Sequence, residues 1–500
     1  MVTLGVKHYF LIIFALLSGA SAALYWTAPE QQNEMPVLYW ITQNDETKRE
    51  TVRLFTEWRK DQGLPPVELK IDNANQEVTK KLAHGLAGVG ADLFDTYLYQ
   101  TELFASSGMF MDVTEIAKEM GFSPAETYPA FHDDIVVNGR QYGFPRNAGS
   151  PVFWINREAF ARYGIPEPAE RWTWDEFEKI GTAFVNAANP PGTRQRSYFV
   201  QTLRPDIFRR GLGLSIFNET MTACVLDDPR NAEVMRRFYR WTTELRLVPT
   251  QAEIMNLTAG GEMAGSGVFY LFNKGRIATM YIPRYALMRL RPMGKMDLRV
   301  IEPPHSGFPN MIFTTGFVGV YKNTKHPEAA LSFLKFLTTE RFNMLVINSG
   351  DSLPPVPKFR YTEAFLRPPD RPDEWHLQEF FARAAPTLGI GLSRSPFILS
   401  ERIYQPVTGH EAAVIDSVLA GQISPEDAGR IEQQRINAEI ASNIAKDPKL
   451  RALYERLTAV QRRIDQRKAE GRPIPADWIT NPFHLTYYKA QGMLEGVDDS

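Results

Sequence analysis

This 500-residue chain carries a single cysteine, Cys224, so it has no intramolecular disulfide and no cysteine-based metal centre. A lone thiol of this kind is expected to be a small buried apolar residue. An excess of either charge is also missing: 56 Lys and Arg stand against 58 Asp and Glu, for a net charge of −2. A nucleic-acid partner would require a basic face, and no Lys/Arg run with interleaved aromatics occurs. His84, His132, His305, His326, His376, His410 and His484 are scattered without ligand spacing. No G-x-S-x-G, H-E-x-x-H or phosphate-binding loop is present, and there is no internal repeat or low-complexity stretch. No metal and no cofactor are therefore expected.

Long apolar runs are equally scarce. The one that exists is Tyr9 to Trp26, YFLIIFALLSGASAALYW, preceded by Lys7 and followed by no formal charge until Glu30. As a helix it would reach about 27 Å, just short of the ~30 Å hydrocarbon core of a bilayer. Two readings stand side by side. Ala20-Ser21-Ala22 is a small-x-small cleavage site for a secretory signal. Alternatively Tyr25 and Trp26 are interfacial aromatics, and residues 9–26 stay in the inner membrane as an anchor. A lipoprotein is disfavoured, because Ala20 occupies the place where the Leu-Ser-Gly run would need a cysteine. Either way the body lies in the periplasm or another extracytoplasmic space.

What is there is a globular composition, 44% hydrophobic and 23% charged, in a chain too long for one ordinary core. Pro36–Thr42 is a short apolar run suited to a central parallel strand. A helix with Val52, Phe55 and Trp58 on one face follows it, then a strand at Val67–Ile71. Val78, Leu82 and Leu86 mark another helix, and Ala91–Tyr97 a third strand. Strand and helix alternating over short connections make an α/β unit with a doubly wound parallel sheet. Ligands in such sheets sit beyond the carboxyl ends of the strands. That rule selects Asn44 and Asp45 after the first strand, with Asp95, Tyr97 and Tyr99 after the third.

Ile135–Pro145 reads as a hairpin around Asn138-Gly139. The next stretch, YGFPRNAGSPVFWINREAFARYGIPEPAERWTWDEF from Tyr142 to Phe177, organises the whole chain. Its apolar strand, Pro151 to Ile155, leaves a finished unit and delivers the chain into a second one. A short helix stopped by Gly164 follows, then a helix from Trp174 to Val185 with Thr173 as N-cap. In the second unit we expect strands at Tyr198–Thr202, Lys274–Tyr281 and Leu298–Ile301, and a helix at Ala232–Leu245. Met311–Tyr321 reads as a strand returning to the first unit, followed by a helix at Pro327–Leu337.

The ordered succession of these passages resembles the extracellular solute-binding proteins of bacterial ABC importers, nearest the carbohydrate-binding, maltose-binding-protein-like branch. The resemblance rests on "G-x-P, apolar strand ending in Asn, Y-G-I-P-x-P, T-W-D-E-F", on the Gly275 to Met280 strand, and on H-P-E-A-A-L-S-F-L-K-F at 326–336. It covers roughly Pro36 to Ile444. It implies a two-lobe periplasmic-binding-protein clamshell (type II), with hinge crossings between the lobes and a helical C-terminal region. The boundaries expected are a signal or anchor at 1–28 and a first lobe at 29–150. The second lobe runs over 151–312, with a return to the first at 313–345 and shared helices at 346–445. Residues 446–500 form an extra tail with no family counterpart, and packing back on the body and binding another chain are both open to it.

The resemblance further implies a non-enzymatic, monomeric protein that closes on a sugar or oligosaccharide and delivers it to ABC permease transmembrane subunits. Sugars stack on aromatic rings while amides, carboxylates and arginines take their hydroxyls. The candidates are Trp40, Tyr97, Trp154, Tyr281, Tyr285 and Phe317 for stacking, and Asn44, Asp45, Asp95, Asn156 and Arg284 for polar contacts. Replacing Trp154 or Trp40 by Ala is then expected to weaken sugar binding with little change in melting temperature. A non-sugar ligand, such as ferric iron or a polyamine, and a sensory role use the same fold and stay as alternatives. A glycoside hydrolase needs two carboxylates facing across one bond. The adjacent acids Asp133-Asp134, Glu167 with Glu170, and Asp227-Asp228 sit instead in cap or proline contexts.

Overall fold

The computed structural model describes residues 17–19, 35–97, 100–258, 267–400 and 410–496. The expected signal or anchor at 9–26 and Tyr99 lie outside them, apart from helical residues 17–19. Among the described residues no helix is long and apolar enough to cross a membrane.

The strands are β1 (Val37–Ile41), β2 (Glu68–Asp72), β3 (Leu93–Tyr97), β4 (Val136–Val137), β5 (Arg140–Gln141), β6 (Gly143–Pro145) and β7 (Val152–Asn156). They continue with β8 (Tyr198–Val200), β9 (Ile277–Ile282), β10 (Leu298–Ile301), β11 (Met311–Ile312), β12 (Gly316–Val320) and β13 (Gly389–Ile390). Two sheets dominate, in the orders β2-β1-β3-β12-β6 and β10-β7-β9-β8. The first lobe is thus built from the N-terminal parallel strands, extended on one side by β12, antiparallel to β3, and then by β6, antiparallel to β12.

Local chemistry sets the element ends. Asp45 caps helix Glu46–Asp61 by accepting from the Lys48 amide at 2.8 Å. Phe55 of that helix is fully buried, and Val52 and Trp58 pack beside it. Thr173 and Glu176 form a reciprocal capping box at the start of helix Trp174–Ala188. Asn138 (φ 51°) and Gly139 (φ 75°) turn the β4–β5 hairpin in the left-handed region that Asn-Gly favours. The strand expected over Met311–Tyr321 is divided, since Phe313–Thr315 leave both sheets at the lobe junction.

The chain crosses between lobes more than once. Residues 146–151 join β6 to β7, and residues 313–315 join β11 to β12. A third strand of backbone runs alongside: Ala148 bridges Leu353, and Gly149 bridges Thr314. Helix Trp375–Leu388 then packs on β10 of the second lobe, with Trp154 against Phe381 at 5.7 Å.

The tail packs back on the second lobe. Helix Pro448–Ala469 lays Leu450, Leu453 and Leu457 against Phe217, Cys224 and Phe397. Asn481, fully buried, donates from its amide to Ser215 Oγ, Phe217 O and Asn218 O, and accepts from Ser393 Oγ. The Glu219 carboxylate collects Lys468 Nζ, Gln461 Nε2 and the Tyr488 hydroxyl. Burial would raise its pKa, but His484, Lys468 and the Tyr488 hydrogen bond hold it down to about 2. Gly213 (φ 75°) lies so close to the Tyr487 ring that any side chain there would collide with it.

Candidate functional site: the interlobe cleft

Strand ends and crossings meet where the two sheets face each other. On the first lobe the end of β3 presents Asp95, nearly buried. It accepts from Thr42 Oγ1 at 2.7 Å and from Arg146 Nε at 2.5 Å. Arg146 opens the first crossing, so this ion pair ties the sheet to the hinge. Burial works against ionising Asp95, yet Arg146 and Lys48 hold its carboxyl below the usual range. Asn147, the next residue, reaches Asp351 Oδ2 at 3.3 Å on the third crossing. Tyr97 stands half-exposed over this group. Burial raises its phenol, and the Asp95, Asp351 and Asp45 carboxylates raise it further.

On the second lobe the ends of β8 and β9 hold a cavity of about 220 Å³. Gln201, just past β8, accepts from the Tyr281 amide at 2.9 Å and so fixes the end of β9. Tyr281 lines the cavity, and its hydroxyl is driven up by burial and by Asp206. Helix Pro205–Gly211, which follows β8, supplies Asp206, Arg209 and Arg210, with Arg204 just before it. Arg204 Nη2 donates to Asp206 Oδ2 at 2.6 Å, and Arg209 Nη2 to Glu411 Oε1 at 2.7 Å. Thr314 and Pro151 of the crossings complete the wall toward the hinge.

The expected site residues divide into two groups. Asn44, Asp45, Asp95 and Tyr97 lie together at the first-lobe strand ends; on the second lobe Tyr281 lines the cavity just described, and Tyr285 follows the end of β9. Tyr285 is 36% exposed, and the Asp351 carboxylate acts on it as on Tyr97. Asn44 and Asp45 also carry local duties: Asn44 accepts from Arg49, and Asp45 is the helix cap already described.

The other five are structural, which corrects the expectation. Trp40 is 1% exposed, tilted against Phe333 at 5.0 Å inside the first lobe. Trp154 is fully buried between β9 and β10, with its indole N–H donating to Ile282 O at 3.0 Å. Both sit mid-strand, and alternation turns their rings into the core rather than toward the cleft. Phe317 lies in the first-lobe core against Phe110. Asn156 caps helix Arg157–Tyr163 and donates to Phe272 O at 2.6 Å. Arg284 donates to Gln378 Oε1, Ser352 O and Ile347 O over the Phe365 ring, clamping the hinge rather than a ligand.

Sequence reasoning passed over Arg146, Asp351 and the run Arg204-Pro-Asp-Ile-Phe-Arg-Arg210. The signal for the last was available. It is a charged stretch directly beyond the carboxyl end of a strand, where the rule applied to the first lobe would have selected it.

Residues 46–203 match the family model of bacterial extracellular solute-binding proteins, and the chain has the two-lobe fold of periplasmic binding proteins. An uncharacterized ABC transporter extracellular-binding protein of Pyrococcus horikoshii is 23% identical over 223 residues. That match takes in 44% of this chain and 49% of the relative, about half its length. Among solved structures, an ABC substrate-binding protein of Listeria monocytogenes in complex with cycloalternan superposes with a TM-score of 0.67 at 19% identity. It covers 82% of this chain and 100% of that one. The sugar-binding protein MalE of Xanthomonas citri gives 0.64 at 14% identity, covering 81% and 98%. UgpB of Mycobacterium tuberculosis in complex with glycerophosphocholine gives 0.63 at 13%, covering 82% and 100%.

Proposed function

We propose that this protein is the substrate-binding component of an ABC importer, capturing a carbohydrate between its lobes and presenting it to the permease. The observation that carries the reading is the composition of the two facing strand-end groups. Phenol rings from both lobes (Tyr97, Tyr281, Tyr285) alternate there with acids and arginines already held in place by one another. Rings of that kind take the C–H faces of a pyranose, while fixed carboxylates and guanidiniums take its hydroxyls. The complex of a similar structure with cycloalternan, and the likeness to the sugar-binding protein MalE, support a sugar as the ligand.

The mechanism is non-covalent. Ligand bridging both groups stabilises the closed arrangement by its differential affinity for it, and the closed form is what a permease reads. No step of bond cleavage is assigned to any residue. The protein acts outside the cytoplasmic membrane as a monomer, delivered there by its N-terminal segment.

A thermal-shift screen against mono-, di- and oligosaccharides, with polyamines and ferric salts as controls, tests this. A sugar that raises the melting temperature saturably, and is recovered intact, is the expected result. Stabilisation by the controls alone would remove the carbohydrate reading. Consumption of an oligosaccharide would replace it with a hydrolase.

A further inference from the structure

The charges lining the second-lobe cavity do not cancel. Arg204 is matched by Asp206 and Arg209 by Glu411, at the distances given above. Among the described residues Arg210 has no carboxylate in contact. Its Nε donates to Asn310 Oδ1 at 3.1 Å and its Nη2 to Ile390 O at 3.3 Å. Its other side lies 4.8 Å from the centroid of Phe483, a tail residue that is fully buried. Burial lowers its pKa to about 10, against the opposing pull of Asp206 and Tyr281.

Arg284 shows that this arrangement is not simply how the protein buries a guanidinium. There, three nitrogens are each given an acceptor, and the side chain serves the hinge. Arg210 receives acceptors on two nitrogens and lines a cavity instead. Two further buried polar atoms in the same wall lack a partner among the described residues: Asp206 Oδ1 and Arg209 Nη1. A buried polar atom without a partner costs about 1–3 kcal/mol, and an unmatched buried charge costs more. The wall therefore holds an unused acceptor, Asp206 Oδ1, and an unused donor, Arg209 Nη1, beside a guanidinium, Arg210, that meets no carboxylate of the described residues, in a space of sugar size.

Resting on the carbohydrate reading above, we infer that this cavity selects a saccharide bearing an oxyanion, a carboxylate or phosphate, with Arg210 receiving the anion and Asp206 a neighbouring hydroxyl. Asp206 Oδ1 accepts from an O–H, and the guanidiniums of Arg209 and Arg210 donate N–H bonds to the anionic oxygens. Phe483 gives the tail a part in the site: its ring backs the guanidinium and keeps water from that side. Arg210 is thus the specificity-determining residue, and Phe483 a positioning one.

The test measures dissociation constants of the full chain for D-glucose, D-glucuronate and glucose 6-phosphate, and for D-galactose and D-galacturonate. Glycerol 3-phosphate and inorganic phosphate serve as oxyanions without a sugar ring. The expected result is that an acidic saccharide binds at least tenfold more tightly than its neutral counterpart. In Arg210→Gln the two should fall within threefold of each other, while Arg210→Lys keeps part of the preference. Glucuronate against glucose 6-phosphate tells carboxylate from phosphate.

Equal or tighter binding of the neutral sugars by the unaltered protein would overturn the inference and leave the carbohydrate reading standing. That comparison holds even should Arg210→Gln not fold. A preference that survives Arg210→Gln would overturn the assignment to Arg210. Binding of the ring-free oxyanions alone, lost in Arg210→Gln, would support the oxyanion site and remove the sugar. Binding of none of the probes would overturn both.

Discussion

The Arg210 guanidinium lies 4.8 Å from the centroid of the Phe483 ring, so helix Pro482–Ala490 of the tail touches the wall of the second-lobe cavity. A segment that reads in sequence as an appendage is thereby part of the second lobe. Phe483→Ala should cost about 3–5 kcal/mol of stability, as removal of a fully buried aromatic does. Phe483→Leu should cost less. Urea unfolding of the two variants, with ligand affinity measured in parallel, checks both effects.

Asn481 offers a narrower probe of the same attachment. Its side chain holds three acceptors of the 215–218 loop and caps helix Pro482–Ala490. Asn481→Ala would strand buried acceptors at about 1–3 kcal/mol. Native-state hydrogen exchange should then show the tail opening before the sheets.

Trp154→Ala and Tyr281→Ala should separate fold from binding. Trp154 is a core residue, so its loss is expected to cost about 3–5 kcal/mol. Tyr281 lines the cavity, and its loss is expected to weaken ligand binding at least tenfold with a smaller drop in melting temperature. Titration calorimetry beside thermal unfolding makes the comparison.

The Asp95–Arg146 pair is buried at the hinge. Asp95→Asn leaves a guanidinium unmatched and should destabilise by about 3–5 kcal/mol. The double variant Asp95→Asn with Arg146→Gln should recover part of that loss, because the unmatched guanidinium is removed along with the carboxylate. Chemical denaturation of all four members of the cycle decides it.

Two buried carboxyls give opposite pH dependences. Burial raises Asp134 to about 6 despite its ion pair with Arg394, which links the segment after β13 to the first lobe. A raised acid contributes stability that is full below pH 3.8 and is lost as pH climbs through about 6. Asp134→Asn should therefore match the parent at pH 4 and exceed it at pH 7.5 by up to about 3 kcal/mol. Glu219, held down to about 2, contributes stability present above pH 4.5 and lost as pH falls through about 2. Glu219→Gln should flatten that acid limb. Melting curves from pH 2 to 8 report both.

Much of the architecture was legible because it is local. Period-two and period-three-to-four apolar spacing marked β1, β2, β3, β7 and β10 and the helices after them, and Thr173 and Asn138-Gly139 marked their boundaries. The site was legible in part for the same reason. Strand ends can be counted along a chain, which placed Asp95 and Tyr97 at the end of β3 and Tyr281 near the end of β9. Which way a mid-strand ring points cannot be counted so easily. Trp40 and Trp154 were expected in the cleft, but each faces a helix packed from elsewhere in the chain, carrying Phe333 and Phe381.

The sequence by itself determined the α/β alternation, the crossing into the second lobe by the strand that starts at Pro151, and the absence of an intramolecular disulfide, since each depends on neighbours within a few residues or on composition. Tertiary structure alone decided that Arg210 would meet no carboxylate of the described residues, and that Phe483, 273 positions later, would lie against it. Charge balance in a cavity is a sum over segments brought together by folding. Here those segments are helix Pro205–Gly211, residues 310 and 390, and the tail, and only their packing sets the dielectric and the partners that each group meets.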